Sequence, residues 1–80
     1  MRLDKFLKVS RIIKRRTVAN DACDAARVTA NGRPVKASYQ VKEGDILEIT
    51  FGNRVLKIEV TDVRDNVPKG EAPAMYRELR

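Results

Sequence analysis

Histidine is absent from this chain, cysteine occurs once, and the four glycines are isolated from one another. Without histidine the commonest general base is missing, and no glycine-rich loop is available to hold a substrate phosphate. The single thiol, Cys23, can neither pair within the chain nor supply a metal site alone. We therefore expect no catalytic residue, no metal and no cofactor, and we expect that the protein is not an enzyme.

A long apolar segment is missing too, because charged residues recur every two or three positions along the N-terminal sequence MRLDKFLKVSRIIKRR. Such a segment is unlike a signal peptide, and no stretch approaches the roughly 20 apolar residues of a membrane span. A lone thiol fits a reducing compartment. We expect a cytoplasmic protein without a membrane partner, and its 80 residues allow one domain.

The positive charge is concentrated in one half of the chain. Residues 1–40 carry ten lysines and arginines against three aspartates, a balance of +7, whereas residues 41–80 carry seven cations against eight carboxylates, a balance of −1. The two balances sum to the net charge of +6. This separation is typical of a surface for a polyanion, and charge alone would fit either nucleic acid or anionic lipid.

Hydrophobic spacing predicts two short helices in the basic half. Apolar residues recur at helical intervals in LDKFLKVS, which predicts a helix over residues 3–10. The segment VANDACDAA predicts a second helix, with the hydroxyl of Thr17 as its N-cap. Small side chains would allow this helix to pack closely against its neighbours, and its predicted inner face consists of Val18, Ala22, Cys23 and Ala26.

The rest of the chain predicts a small antiparallel sheet. Asn31-Gly32 marks a tight turn, EGD at 43–45 a second, and Gly52-Asn53 a third. The last turn joins two strands whose alternation predicts an apolar face made of Leu47, Ile49, Phe51, Leu56, Ile58 and Val60.

The C-terminal region predicts a loop followed by a helix. DNVPKGEAP contains two prolines and a glycine, and AMYREL predicts a short helix that docks Met75, Tyr76 and Leu79. The fold class is therefore α+β, with one domain over residues 1–64 and a loop and helical tail over 65–80 packed on it. We assign Cys23, Tyr39 and Tyr76 to packing.

A basic cluster is the feature that points to function. Arginine presents planar, paired donors that match phosphate oxygens, and the start of the second helix adds free amides and a positive dipole end after Arg16. A solvated face explains any single lysine, but the run KRRT at 14–17 favours nucleic acid. Asp4 could orient a neighbouring arginine or cap the first helix, and both roles stay open. Apart from Asp4, the charged residues among the first sixteen are Arg2, Lys5, Lys8, Arg11, Lys14, Arg15 and Arg16.

Three segments, MRLDKFLKVSRIIKRRTVA, NGRPVKAS and VKEGDILEI, resemble the ribosomal protein S-four-like RNA-binding domain, or αL motif. In that family two helices and a following hairpin make an RNA-binding surface, and the match covers residues 1 to about 50. The start MRLDKFLK, the KRRT cluster and AMY at 74–76 are similar to the stand-alone members of the family that act in bacterial ribosome-associated quality control.

The resemblance implies a function and a set of partners. Such factors bind the large ribosomal subunit carrying an obstructed peptidyl-tRNA, stabilise that tRNA, and support C-terminal alanine tailing together with RqcH, which recruits alanyl-tRNA. By resemblance, Arg2 and Arg16 would be the principal contacts to rRNA and tRNA, with Asp4 beside them. The expected RNA-binding set also contains Lys5, Lys8, Arg11, Lys14, Arg15, Thr17 and, flanking it, Lys36. We expect a monomer.

One position departs from the family pattern. Relatives commonly have glycine where this chain has Ala26. If the backbone there needs a positive φ, alanine would cost about 1 kcal/mol or would shift the end of the second helix.

Three other interpretations stay open. The heat-shock relative of the same domain type also recognises large subunits with peptidyl-tRNA, but it usually bears a longer basic C-terminal extension. A protein-interaction adaptor would use its charge only for solubility, and steep salt dependence of binding would exclude it. An accessory domain cut from a pseudouridine synthase or methyltransferase is disfavoured by the Met1 start and by the lack of a catalytic domain.

Overall fold

Two short helices pack against one face of a five-stranded antiparallel sheet in the computed structural model, which describes residues 1–65 and 67–79. The sheet order is β2-β1-β3-β4-β5. This architecture confirms the α+β class. The elements are α1 (Leu3–Val9), α2 (Arg16–Asp24), β1 (Val28–Ala30), β2 (Arg33–Pro34), β3 (Ile46–Phe51), β4 (Arg54–Val60), a 3-10 helix (Lys69–Met75) and β5 (Tyr76–Leu79).

Helix α1 forms where the sequence predicted it. Its apolar residues Leu3, Phe6 and Leu7 are fully buried, because their spacing of three and four places them on one side of the helix. The helix ends at Val9 with Ser10 as its C-cap residue, because Arg11 adopts a left-handed backbone with φ of 64°. A non-glycine residue pays about 1–2 kcal/mol for that conformation. The reversal separates the basic connection from the axis of α1.

Helix α2 begins earlier than predicted, so the assignment of Thr17 as N-cap was wrong. The backbone of Arg15 is extended and its carbonyl accepts from the amide of Ala19 at 3.0 Å, which makes Arg15 the N-cap residue. Thr17 therefore lies in the first helical turn. The predicted inner face was wrong in part, because Ala19 and Cys23 are the buried residues whereas Val18 is 50% exposed.

The C-terminal end of α2 has the positive φ suspected from the sequence. Ala26 has φ of 60°. Its amide donates to the carbonyl of Cys23 at 3.0 Å, and the amide of Arg27 donates to the carbonyl of Ala22 at 2.9 Å. This pair of bonds is a Schellman motif, which favours glycine at the position that Ala26 holds. Ala26 is exposed, so the predicted inward position was also wrong for this residue.

The predicted turns and hairpin are present in the sheet. Asn31 and Gly32 have φ of 54° and 87°, as a tight hairpin turn requires. Leu47, Ile49 and Ile58 are fully buried and form the part of the core that faces the helices. Phe51 continues the face of Leu47 and Ile49 but is 41% exposed, because it ends β3 beyond the cover of α2.

The C-terminal helix was a wrong prediction. Residues Tyr76–Leu79 form β5, which pairs with β4 from Tyr76↔Val60 to Leu79↔Lys57. Strand β4 would otherwise expose a row of unpaired backbone groups, and that edge outweighs the helical propensity of a short segment. Met75 is fully buried, as expected.

The predicted loop at 65–73 is partly wrong as well, since its second half enters the 3-10 helix. Position 66 of that loop and position 80 of the tail lie outside the described residues. No helix in the described part of the chain is long and apolar enough to cross a membrane.

Candidate nucleic-acid interface

Asp4 is a buried carboxylate that ties the two helices together. Its side chain is 3% exposed. One oxygen, Oδ1, accepts from the amide of Lys5 at 2.9 Å and from Nε of Arg2 at 3.2 Å. The other, Oδ2, accepts from Nε of Arg16 and from Nδ2 of Asn20, both at 3.3 Å, and from Nη2 of Arg2 at 3.4 Å. Asp4 therefore orients two arginines, one from each end of the basic segment. We refer to these four residues as the Asp4 cluster: Arg2, Asp4, Arg16 and Asn20.

The hydrogen bonds of this cluster keep Asp4 ionised. Burial by itself would raise the pKa of the carboxyl group. The hydrogen bonds from Asn20, Arg2, Arg16 and the Lys5 amide outweigh burial and lower the pKa below its usual range. A negative charge thus stands permanently between two positive ones at neutral pH.

The two arginines are held yet remain available to a ligand. Their side chains are 47% exposed for Arg2 and 46% exposed for Arg16. Within the described residues, Arg16 bonds to Asp4 through Nε, which leaves both terminal nitrogens free. The recess above the carboxylate is lined by Arg16, Thr17, Asn20 and Asp21. It offers fixed N–H donors of the geometry that phosphate oxygens accept.

The first turn of α1 is anchored by a loop that follows the β1–β2 hairpin. The amide of Leu3 donates to the carbonyl of Tyr39 at 2.8 Å, and the amide of Asp4 donates to that of Ala37 at 3.2 Å. Arg2 forms an isolated antiparallel bridge with Gln40. The backbone that carries Arg2 and Asp4 is therefore fixed by the sheet side of the molecule.

Asn20 was missed in the sequence, although a signal was present. Arg16 and Asn20 are four residues apart on α2, so their side chains lie on the same helix face. Both reach the same oxygen of Asp4. A polar residue four positions after the central arginine could have been recognised as its companion.

Other predicted cations form a second group, separate from the Asp4 cluster. A recess between the turn after α1 and the later loop is lined by Lys8, Arg11 and Lys14, together with Asp65. Lys5 pairs with the same carboxylate, Nζ to Oδ1 at 3.1 Å. Both partners are partly exposed, so this ion pair is worth under about 1 kcal/mol and can open for a stronger anion.

The remaining predicted residues lie at the borders. Arg15 is exposed at the start of α2. Lys36 is exposed and lines a shallow recess beside Cys23 and Asp24, near the end of α2. Among the described residues Lys36 makes no hydrogen bond or ion pair with the Asp4 cluster, but its neighbour Ala37 contacts the Asp4 amide. It flanks the surface without belonging to its centre.

Cys23 belongs to the core. Burial, with the nearby charges of Asp4 and Asp24, raises the pKa of its thiol to about 11. The thiol is therefore protonated at neutral pH and packs as a small apolar group. Residues 1–65 and 67–79 contain no group of three or more side chains able to hold a metal ion.

Comparisons with known proteins identify relatives of this chain. The S4 domain model matches residues 1–47, the part that contains both helices. The chain is 54% identical over 76 residues to an RQC P-site tRNA stabilizing factor of Halalkalibacterium halodurans, covering 95% of this chain and 86% of that protein. It is 49% identical over 80 residues to the factor of the same name from Bacillus subtilis, covering 100% and 93%.

A solved structure has the same fold. The trimeric structure of Vibrio cholerae Heat Shock Protein 15 matches with a TM-score of 0.91 at 30% identity, covering 99% of this chain and 81% of that one.

Proposed function

The chain belongs to the S4-domain family of RQC P-site tRNA stabilizing factors, and from this membership we propose that it is an RNA-binding factor of ribosome-associated quality control that stabilises tRNA in the P site. It binds the large ribosomal subunit carrying an obstructed peptidyl-tRNA and supports C-terminal alanine tailing with RqcH. It acts in the cytoplasm as a monomer. No catalytic step of its own is needed, because holding a tRNA is a binding function.

The observation that carries this proposal is the Asp4 cluster. Two arginines separated by fourteen positions in the sequence share one buried carboxylate and present half-exposed guanidinium groups. A flexible arginine loses rotamer freedom when it binds phosphate, whereas one already held through Nε loses less. Preorganised cations at a helix start are suited to hold a nucleic-acid backbone in one position.

The distribution of charge supports a one-sided contact. Both helices and their connection lie within the half of the chain whose balance is +7. On the sheet face turned away from the helices, Lys57 stands opposite Glu48 in the β3–β4 register, so charges of both signs alternate there. An RNA ligand is therefore attracted to the helical side, where phosphate contacts release counterions.

The heat-shock relative is the second candidate, and the fold does not separate the two. The backbone of Heat Shock Protein 15 superposes closely, but its identity to this chain is 30%, against 54% for the Halalkalibacterium halodurans factor. An alanine-tailing reaction reconstituted with RqcH and alanyl-tRNA separates them. A quality-control factor raises the yield of tailed chains, whereas a subunit-recycling protein binds the complex and leaves the yield unchanged.

Co-sedimentation of the purified protein with three targets tests the proposal. The targets are empty large subunits, large subunits carrying peptidyl-tRNA, and free tRNA. We expect clear preference for the subunit that carries peptidyl-tRNA, because rRNA and tRNA would then be contacted together. Equal binding to all three would overturn the quality-control function and leave a general RNA-binding protein.

A further inference from the structure

Phe51 is an exposed aromatic side chain that does not belong to the hydrophobic core. Of the four aromatic residues, Phe6 is buried and Tyr39 and Tyr76 are partly buried, whereas Phe51 is 41% exposed at the end of β3. A single exposed apolar residue is common on protein surfaces. Whether Phe51 has a function therefore depends on the residues around it.

The ring of Phe51 stands between two open recesses. On one side lies a recess of about 440 Å³ between α2 and the end of β3, lined by Val18, Ala22 and Arg27. On the other side lies a recess of about 220 Å³, lined by Arg54 and Leu56. An aromatic ring with open space beside it and an apolar floor can accept a second flat ring by stacking.

Two arginines flank this aromatic residue. Arg54 is its partner in the β3–β4 register, so the two side chains stand on the same sheet face as direct neighbours. The carbonyl of Arg27 accepts from the amide of Thr50 at 2.8 Å, which places Arg27 beside the end of the strand. In the described part of the chain neither arginine forms an ion pair. Their charges are available to a polyanion.

Carboxylates at the edges of the two recesses give the site a preference among the bases. Asp21 lines the first recess and Glu78 the second. A carboxylate accepts hydrogen bonds from the exocyclic amines of adenine, cytosine or guanine, and uracil has no such amine. The arrangement therefore favours adenine, which also has a large stacking surface, over uracil.

The Phe51 recess is continuous with the RNA-binding surface. Asp21 lines both the first recess and the recess over the Asp4 cluster. Arg16 and Asp21 are five residues apart on α2, which is about 7.5 Å along the helix axis. Because Asp21 borders both recesses, an RNA held at Arg16 passes next to the recess that contains Phe51.

We propose that Phe51 is a stacking site for one unpaired base of the RNA bound at the Asp4 cluster, with Arg27 and Arg54 contacting the neighbouring phosphates. The site rests on the proposed RNA-binding function and adds a single-stranded nucleotide to what it recognises. A protein ligand would use the apolar residues Phe51 and Val18 alone. The flanking arginines and the continuity with Arg16 favour RNA.

The absence of tryptophan from the sequence gives a direct test. In a Phe51→Trp variant the new indole is the only tryptophan, and stacking of a base quenches its fluorescence. A Lys57→Trp variant is the matched control, because Lys57 is exposed on the same hairpin, pairs with Glu48 on the opposite face of the sheet and lines neither recess. The probes are short oligoadenylate, oligouridylate of equal length, and an abasic ribose-phosphate oligomer.

We expect quenching by oligoadenylate in Phe51→Trp, weaker quenching by oligouridylate, none by the abasic oligomer, and none by any probe in Lys57→Trp. Phe51→Ala should weaken oligoadenylate binding about tenfold by fluorescence anisotropy, with Lys57→Ala unchanged. Unaltered thermal unfolding of Phe51→Ala would show that the loss is not due to unfolding.

Several results would overturn the site. One is that oligoadenylate does not bind at low salt, and another is that it binds without quenching the fluorescence of Phe51→Trp. A third is a tryptophan signal that changes only with protein concentration, which would indicate a protein-docking surface. Failure of the site and of the proposed function are distinguishable. Quenching without preference for tRNA-loaded subunits would contradict the function alone, and that preference without quenching would contradict the site alone.

Discussion

Two aspartates are buried to a similar extent but accept hydrogen bonds from different kinds of donor. Asp4 is 2% exposed and Asp45 is 6% exposed. Asp45 lies in the turn before β3, where it accepts from the hydroxyl of Tyr39 at 2.9 Å, the amide of Lys42 at 2.9 Å and Nδ2 of Asn31 at 3.2 Å. Two arginine side chains bond to Asp4, whereas the donors around Asp45 are neutral.

The difference separates a structural carboxylate from one that organises the proposed binding surface. Burial opposes ionisation of Asp45, and its hydrogen bonds from Lys42, Tyr39 and Asn31 outweigh burial, so its pKa is lowered as that of Asp4 is. The partners of Asp45 join two turns and a loop of the fold. The arginines of Asp4 are half exposed, and one of them, Arg16, lines a recess. Low pKa alone would not have told the two apart.

Replacing Asp45 should have the largest effect, and on stability only. Asp45→Ala leaves the donors of Tyr39, Asn31 and Lys42 without their shared acceptor, so we expect a loss of about 3 kcal/mol in the free energy of unfolding. Urea denaturation measures this loss. RNA affinity of the folded variant should equal that of the original protein, and a large drop in affinity at full folding would mean that the Asp45 region also contacts RNA.

Replacing Asp4 should lower both stability and RNA binding. Asp4→Asn keeps the shape but removes the charge between Arg2 and Arg16, and we expect a loss of about 2 kcal/mol in unfolding free energy and about tenfold in affinity for tRNA-loaded subunits. The net charge rises from +6, so charge alone would predict tighter binding. Glu43→Gln raises the net charge equally at an exposed turn and serves as the control. Tighter binding by both variants would contradict the orienting role of Asp4.

A smaller effect, of opposite sign, is expected at the end of α2. Ala26 has φ of 60°, so Ala26→Gly should raise the unfolding free energy by about 1 kcal/mol. Thermal denaturation measures the gain. Ala25→Gly is the matched control, because Ala25 has φ of −86° and glycine there should destabilise the protein. Equal effects of the two substitutions would show that the Schellman geometry is not the cause.

Acid should remove stability only at or below the usual pKa of a carboxyl group. Both Asp4 and Asp45 have a lowered pKa in the folded state, so their contribution is fully present above the unfolded pKa and is lost as pH falls through the folded one. We expect a flat stability profile from pH 7 to about pH 5 and a decline below about pH 4. Asp45→Asn should flatten part of that decline. An unchanged slope would assign acid sensitivity to other carboxylates.

Much of the fold was predictable because local signals agreed with tertiary packing. The apolar spacing in α1 and the Asn31-Gly32 turn each specify one structure, and both are present. The helix predicted at the C-terminus failed because the deciding factor, the open edge of β4, is distant in sequence. The prediction that Val18 faces inward failed for a related reason, because helical spacing alone does not show which side of α2 packs against α1.

The charged residues of the candidate site could be predicted from the sequence, but the contacts at its centre could not. The basic cluster and its arginines are visible in the sequence, and the resemblance added Asp4. The sequence could not show that Asp4 bonds to both Arg2 and Arg16, because that contact depends on the crossing of two helices. Nor could it separate the cations at Lys8, Arg11 and Lys14 from the Asp4 cluster.

The measurement that tests the central claim most directly is the salt dependence of binding to large subunits carrying peptidyl-tRNA. Arg16→Ala and Lys57→Ala each remove one positive charge. Lys57 is exposed and pairs in register with Glu48, on the sheet face away from the helices. If Arg16 contacts a phosphate, Arg16→Ala should weaken binding and reduce the slope of log affinity against log salt by about 1, while Lys57→Ala leaves the slope unchanged. Equal slopes for the two variants, with both folded, would contradict the assignment of the Asp4 cluster as the RNA-binding surface.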